Sequence, residues 1–519
     1  MERTVLVALA LLAGYVCLLL ILGRKKTTPT LRAFRDGNHQ FRFWTIFIMV
    51  TALWSSSLIV VELDAAYRYG VSAMWYGVSV AVMSLLVASL MPQFQRYHYI
   101  SNSDLLGRVF GPGVRRLSAL VIGGTFPIFA LSNALAAAIF LDTALHWPLW
   151  VSMTLISALL LVSVQFGGIL SLARLQGFNL IMVMTGMLFA VWKIGGKTPP
   201  SSLPGLSPSY WHWWNTDHGL VVVWFGMNIL NVVSAQAEIQ TLAAARTKRD
   251  ANWATWISTL WLGLIIALST WLGMRTRELT HNSRLNGLQA FFHLVLAHTQ
   301  APIASIMGMA MWSLALMWCG PLLFSGAISV SGDLLGKPSS VSWLRFSLII
   351  EAAVMILYAL WRPDQLAWWR VFGLTLRNAA VVGPTLAALI WGRNLSSRAV
   401  VAAMGSGVSV AVGLNAMAGF SPTHFILGIS PMWTAATTTI VCLSTFKLWS
   451  RKPFLAFAGA AVWVIVTWLL IVHHPSVNIL GVLVLVSGLI FLFYAHVVTH
   501  RTEEVTPTLL SPSSAEPDP

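Results

Sequence analysis

The chain has 519 residues, of which 57% are hydrophobic and 9% charged, with a net charge of +15. A soluble domain of average make-up carries about 25% charged residues, so this composition excludes a soluble globular or disordered chain. The apolar runs are long and continuous, which excludes the roughly 10-residue alternation of a membrane β-barrel. An all-α polytopic membrane protein remains, because a helix of about 20 apolar residues crosses the hydrocarbon core.

In chain order, spans are predicted at 3–23, 43–62, 72–92, 117–142, 147–165, 177–195, 218–238, 253–273, 300–331, 343–361, 371–392, 398–417, 429–449, 453–473 and 476–498. The first has only Glu2 and Arg3 before it and Arg24, Lys25 and Lys26 after it, so it reads as an uncleaved helix with its N-terminus outside. With that orientation and an odd number of spans, 21 of the 32 Lys and Arg residues fall on inside segments and 9 on outside ones. This is the positive-inside pattern, and it explains the basic balance through short cytoplasmic loops without invoking nucleic acid. The ninth segment is too long for one straight span and is expected to tilt or to extend along the interface.

Cys17, Cys319 and Cys442 fall within apolar spans with no CxxC or Cys/His cluster, so neither disulfides nor zinc are indicated. The 13 histidines form no ligand-spaced motif such as HExxH, so no catalytic centre is predicted, and no cofactor either. Trp44, Trp75, Trp147, Trp211, Trp213, Trp214, Trp368 and Trp369 sit at span ends, as an aromatic belt requires. The loop 197–217 is the alternative case, an outer vestibule or lid. The tail from Thr506 to Pro519 is rich in Ser, Pro and acids and is expected to be disordered.

Polar residues inside spans are expensive and therefore informative. Ser55, Ser56 and Ser57 face every side of the second span, and their hydroxyls suit an unwound turn. Glu62 reads either as part of a solvated span end or as a group facing a water-filled pathway. Asp64 is placed to pair with Arg68 one turn on. In the seventh span Asn228 and Asn231 share a face, as interhelical donors or as substrate contacts, Gln236 follows, and Gly226 is a weak point. In the ninth, Gly320-Pro321 can kink the helix. Glu351 and Arg377 are two further buried-depth ions that could pair across helices.

Four local patterns, taken in order, resemble the sodium/solute symporter family, which includes proline, pantothenate and sugar symporters. Tyr67-Arg-Tyr-Gly70-Val-Ser-Ala-Met-Trp75-Tyr76 resembles the segment after its first core helix. Tyr99-Ile-Ser-Asn-Ser-Asp104-Leu-Leu-Gly-Arg108-Val-Phe110-Gly111 resembles its cytoplasmic loop. Gly167-Gly168-Ile-Leu-Ser-Leu-Ala-Arg-Leu-Gln176 resembles its Gly-Gly turn, and the run from Gln236 through Gln240 and Arg246 to Ala251 resembles its Gln-rich cytoplasmic run. Asp333-Leu334 matches the close of the ninth helix.

The resemblance implies a leucine-transporter-like inverted five-plus-five helix repeat with extra N- and C-terminal helices. Substrate would bind mid-membrane at two broken helices, the second and seventh spans. The expected division is 1–42, an N-terminal helix and linker; 43–195, the first repeat; 196–397, an outer loop and the second repeat; 398–498, accessory helices; and 499–519, a tail. Substrate contacts are expected from Ser55, Ser56, Ser57, Glu62, Asn228, Asn231 and Gln236.

The resemblance also places an ion site on Leu53 and Ser56 of the second span and on Ser313, Met317 and Trp318 of the ninth. Met317 and Trp318 stand where the family uses hydroxyl side chains. They offer no side-chain oxygen, and a hard cation such as sodium needs oxygen ligands. The expected function is therefore secondary transport of a small organic solute, with a degenerate sodium site and with sodium or a proton as the coupling ion, or with no coupling ion at all. Glu62 is the residue expected to carry that proton. A ligand sensor with a separate signalling partner is the reading from another class, and a homo-oligomer stays open.

Overall fold

The computed structural model describes residues 2–23, 30–96, 99–197, 205–216, 218–280, 285–299, 301–337, 340–361, 366–392, 394–421, 425–426, 429–473 and 477–504. Among these the fold is helical, with one isolated bridge between Phe41 and Ala245. The helices are α1 (Glu2–Gly23), α2 (Leu31–Asp36), α3 (Phe43–Tyr69), α4 (Met74–Arg96), α5 (Asn102–Phe110), α6 (Pro112–Leu145) and α7 (Leu149–Gln165). They continue with α8 (Ile169–Gly195), α9 (His218–Asn231), α10 (Gln236–Ala243), α11 (Lys248–Thr280), α12 (Gly287–Ala297), α13 (Ala301–Ile328) and α14 (Val341–Trp361). The last are α15 (Leu366–Arg377), α16 (Gly383–Trp391), α17 (Ser397–Met417), α18 (Pro431–Trp449), α19 (Pro453–Val472) and α20 (Val477–Glu504). Each of the fifteen predicted spans lies on one of these helices or on an adjoining pair. The tail from Thr506 onward lies outside the described residues.

Ten helical stretches among the described residues are long and apolar enough to cross a bilayer, and α9 with α10 adds a span bent by 48°. One stretch, Phe43–Arg96, has 54 residues, far more than one crossing needs at 1.5 Å per residue. It divides at Gly70, whose φ of +70° only glycine adopts without strain and whose missing Cβ admits the Tyr210 backbone. Lipid is the solvent of the outer faces. Phe454 is 80% exposed, and Ala456 is the one buried residue on α19 among those described. An apolar face of that extent would aggregate in water.

The packing repeats with the halves exchanged. Helix α3 packs on α11 as α9 packs on α4, α6 packs on α14 as α13 packs on α7, and α6 packs on α15 as α13 packs on α8. At the centre α6 and α13 pack on each other. This is the pairing of a leucine-transporter-type inverted repeat, with α1 and α17–α20 outside it.

Two expectations about helix breaks are corrected. The second span is one continuous helix, α3, and Ser56 Oγ donates back to the Leu53 carbonyl within it at 2.8 Å. Gly226 is no break either. It lies within α9 and gives room to the Trp433 ring of α18. Helix α13 continues through Pro321, and a π-helical turn follows over Ser329–Leu334. A second π turn, Asn378–Val382, joins α15 to α16. The predicted pairing of Glu351 with Arg377 is also absent. Glu351 packs over Gly326 of α13, and its carboxylate has no hydrogen-bond partner among the described residues.

Candidate functional site

The seventh span does break. Helix α9 ends at Asn231, residues 232–235 turn, and α10 starts at Gln236. The Gln236 side chain pins the break. It accepts from the Asn102 backbone N–H at 2.8 Å and donates to the Ser325 carbonyl at 2.9 Å and to Ser329 Oγ at 3.1 Å. One fully buried amide thus ties α10 to α5 and to the end of α13.

A cavity of about 80 Å³ opens beside this break. Helix α3 lines it with Leu53, Trp54 and Ser57, α4 with Tyr76, and α6 with Phe126 and Phe129. The broken span contributes Met227, Asn228, Asn231, Ala235, Gln236, Ala237 and Glu238, α13 contributes Trp318 and Leu322, and α15 contributes Leu374 and Arg377. The walls are mainly aromatic and apolar, with a few convergent polar groups, as solute sites generally are. Arg377 immediately precedes a π turn, and such turns recur at functional positions.

The polar groups are held individually. Asn228 Nδ2 donates to Ser79 Oγ of α4 at 2.7 Å. Asn231 Nδ2 points at Met83 Sδ, and its Oδ1 accepts from Arg377. The Arg377 guanidinium also lies over the Phe129 ring at 4.4 Å, a cation–π arrangement. Across the site Glu238 Oε1 accepts from Ser84 Oγ of α4 at 2.5 Å. Trp318 crosses Trp54 edge-on at 5.8 Å, with its indole N–H given to the Phe129 carbonyl.

Of the substrate contacts expected from the sequence, Ser57, Asn228, Asn231 and Gln236 line the cavity. Ser55 and Ser56 do not. They are buried within α3, Ser56 spending its hydroxyl on its own helix. Glu62 faces neither solvent nor the cavity. It is fully buried between α3, α4 and α11, with Thr270 donating to it at 3.1 Å and Gly77 against its carboxyl. Asp64 does pair with Arg68, at 3.3 Å, and also accepts from the Gly287 N–H that starts α12. Sequence reasoning missed Glu238, Trp54 and Tyr76. An intramembrane acid two residues from a break was a readable signal for Glu238. The aromatic residues carry no such mark, since the same residue types fill the core elsewhere.

At the expected ion positions, Leu53 and Trp318 reach the cavity. The oxygens nearby are already bonded within the protein. Ser313 Oγ meets the Tyr15 hydroxyl of α1 at 2.7 Å, and Tyr15 donates on to Asn179 of α8 at 3.2 Å. The Met317 carbonyl accepts from Gln176 Nε2 at 3.0 Å, and the Leu53 carbonyl from Ser56.

Two latches flank the site. On the face carrying α5, Ser101 and Ser103 each donate to Asp333 Oδ2 at 2.7 Å, and Asp104 pairs with Arg115 at 2.7 Å and Arg108 at 2.8 Å. Gln240 reaches the Ile100 carbonyl at 2.8 Å. On the opposite face the 205–216 loop lies over the α3–α4 turn. Trp75 gives its indole N–H to the Trp213 carbonyl and stacks on Trp214 at 4.9 Å, and Asn215 donates to the Tyr69 carbonyl at 2.9 Å. Trp75 and Trp214 therefore make specific contacts beyond those of an interfacial belt. Trp369, also expected in the belt, is fully buried against Tyr358.

No family model matches the chain. The human sodium/iodide cotransporter is 23% identical over 259 residues, covering 46% of this chain and 40% of that protein, so the match spans well under half the relative's length. Among solved structures, a Na⁺-coupled sialic acid symporter in a substrate-bound outward-open state aligns with a TM-score of 0.66 at 14% identity, over 84% of this chain and 96% of that one. Mhp1 in its inward-facing conformation aligns at 0.45 and 13% identity, over 89% and 93%. These relatives are transporters, not enzymes. The chain is thus similar in fold to a Na⁺-coupled symporter and, over part of its length, in sequence to the sodium/iodide cotransporter.

Proposed function

We propose that this protein is a secondary carrier that moves a small organic solute across the membrane by alternating access, with no sodium ion bound at the position its relatives' motifs suggest. The observation that carries the reading is the cavity at the α9–α10 break, enclosed by both repeats and flanked by one latch on each face. That placement lets one solute site be exposed to either side as a latch opens. Independence from sodium is supported by Met317 and Trp318, which lack side-chain oxygens, and by the internal donors on Ser313, Leu53 and the Met317 carbonyl. A cation entering there would have to displace those hydrogen bonds before finding ligands.

The 21 to 9 split of basic residues supports a cytoplasmic face carrying α5 and Arg115, with the N-terminus outside in a cell inner membrane. The test is uptake into proteoliposomes of solutes first found by a thermal-shift screen, with sodium, choline or proton gradients imposed. Accumulation that proceeds equally in choline supports the proposal. Uptake that requires sodium overturns the ion assignment, and absence of uptake or exchange for every stabilising solute overturns the carrier reading.

A further inference from the structure

Two ionisable side chains line the cavity and neither has an ionic partner among the described residues. Glu238 is 1% exposed and Arg377 4% exposed, and neither lies within salt-bridge distance of an opposite charge among the described residues. Glu238 Oε2 and Arg377 Nε are buried with no close hydrogen-bond partner, the Trp54 indole being the donor nearest the Glu238 carboxyl. The scaffold holds the two apart. Glu238 is tied to α4 through Ser84, while Arg377 is tied to α9 through Asn231 and rests on Phe129 of α6.

A buried charge without a partner is costly, and where the group lines a cavity a ligand of opposite charge can supply that partner. With Glu238 ionised, a site holding one acid and one guanidinium, each without an ionic partner, is neutral overall. A lone anion would satisfy Arg377 and leave Glu238 bare, a lone cation would do the reverse, and a neutral solute would leave both. Resting on the carrier reading above, we propose that the transported solute is a small zwitterion, its carboxylate on Arg377 and its ammonium on Glu238. Guanidinium geometry suits the planar carboxylate. The Trp54 and Tyr76 rings are placed to shelter the ammonium end and any apolar stem. The cavity of about 80 Å³ limits the solute to a compact one. Glu62 and Asp64 play no part in this selection, since both lie outside the cavity lining.

The experiment measures binding to the purified full-length protein by thermal shift for glycine, β-alanine and 4-aminobutyrate, whose charges are progressively further apart. Each is compared with its N-acetyl derivative, which lacks the positive charge, and its amide, which lacks the negative one. Acetate and glucose are included as single-charge and neutral controls. At least one zwitterion is expected to bind roughly 30-fold or more tightly than both of its analogues, the scale for removing one partner of a buried charge pair. Glu238→Gln should erase the preference over the N-acetyl form, and Arg377→Gln the preference over the amide. Arg377→Lys keeps the charge and should keep the preference, which separates loss of charge from loss of fold. The proposal is overturned if a single-charge analogue or glucose binds as well as the zwitterions, if none of the three zwitterions binds, or if the preference survives Glu238→Gln. In those cases measured uptake of any other solute leaves the carrier reading standing, whereas no uptake of any solute removes both.

Discussion

Gln236→Ala tests the latch at its centre. Gln236 is fully buried and makes hydrogen bonds to the Asn102 N–H, the Ser325 carbonyl and Ser329 Oγ. Truncation leaves the Asn102 N–H of the first turn of α5 buried and unmet, at about 1–3 kcal/mol, and removes the bond to the Ser325 carbonyl, worth about another 1 kcal/mol, while Ser329 can rotate to another partner. Water admitted from the adjoining cavity sets the lower end, so a loss of about 2–4 kcal/mol is expected for the closed arrangement of α5, α10 and α13. These bonds join separate elements across the break, so opening this face should already have broken them, and the loss falls mainly on the closed state. A shift of about 2 kcal/mol moves a two-state equilibrium roughly 30-fold toward the open one. The assay uses Ala237→Cys, which lines the cavity, in a background with Cys17, Cys319 and Cys442 replaced by Ser, and follows maleimide labelling from the α5 side together with thermal unfolding. Labelling of the Gln236→Ala form should be at least about tenfold faster than with Gln236 intact. Unchanged labelling together with an unchanged unfolding temperature would refute the argument that this amide holds the face shut.

Other positions give sharper local outcomes. Asp333→Ala removes the acceptor shared by Ser101 and Ser103 and should speed labelling of the same probe, with a stability loss of about 1–3 kcal/mol by thermal unfolding. Tyr15→Phe cuts the link from α1 to Ser313 and Asn179, so a loss of about 1 kcal/mol is expected, measured by the same melt, with the sodium response of uptake unchanged. Glu62→Gln should leave the pH profile of uptake unaltered, because the carboxyl is sealed between α3, α4 and α11 away from the cavity, and a displaced profile would contradict that placement. Gly168→Ala adds a Cβ against the Phe34 carbonyl at a φ of +57° and should destabilise by at least about 1 kcal/mol, read as a lower melting temperature.

The span order and the membrane setting were legible from composition and run length alone, because hydrocarbon demands long apolar helices whatever their tertiary partners. The Gly70 turn, the Gly168 approach and the Gln236 run also carry local marks, since glycine at positive φ and a buried amide are needed there by backbone geometry and hydrogen bonding. The ionic pairing of Asp64 with Arg68 follows from helix spacing.

Orientation of side chains was a different matter. Three serines and Glu62 on α3 look alike in sequence, yet one serine lines the cavity while Ser55, Ser56 and Glu62 are buried among neighbouring helices. The break predicted for α3 did not form, and Ser56 gives its hydroxyl to the Leu53 carbonyl of the same helix. Glu351 and Arg377, alike in predicted depth, face different neighbours, and Arg377 instead shares a cavity with Glu238, 139 positions away in the chain. Which face of a helix meets lipid, core or cavity depends on the rotation of each helix against partners hundreds of residues distant. The sequence by itself therefore determined that this chain spans a membrane through helices in a symporter-like order. Only the tertiary structure decided which few polar groups meet at the centre, because that meeting is a property of packing between spans and not of any one of them.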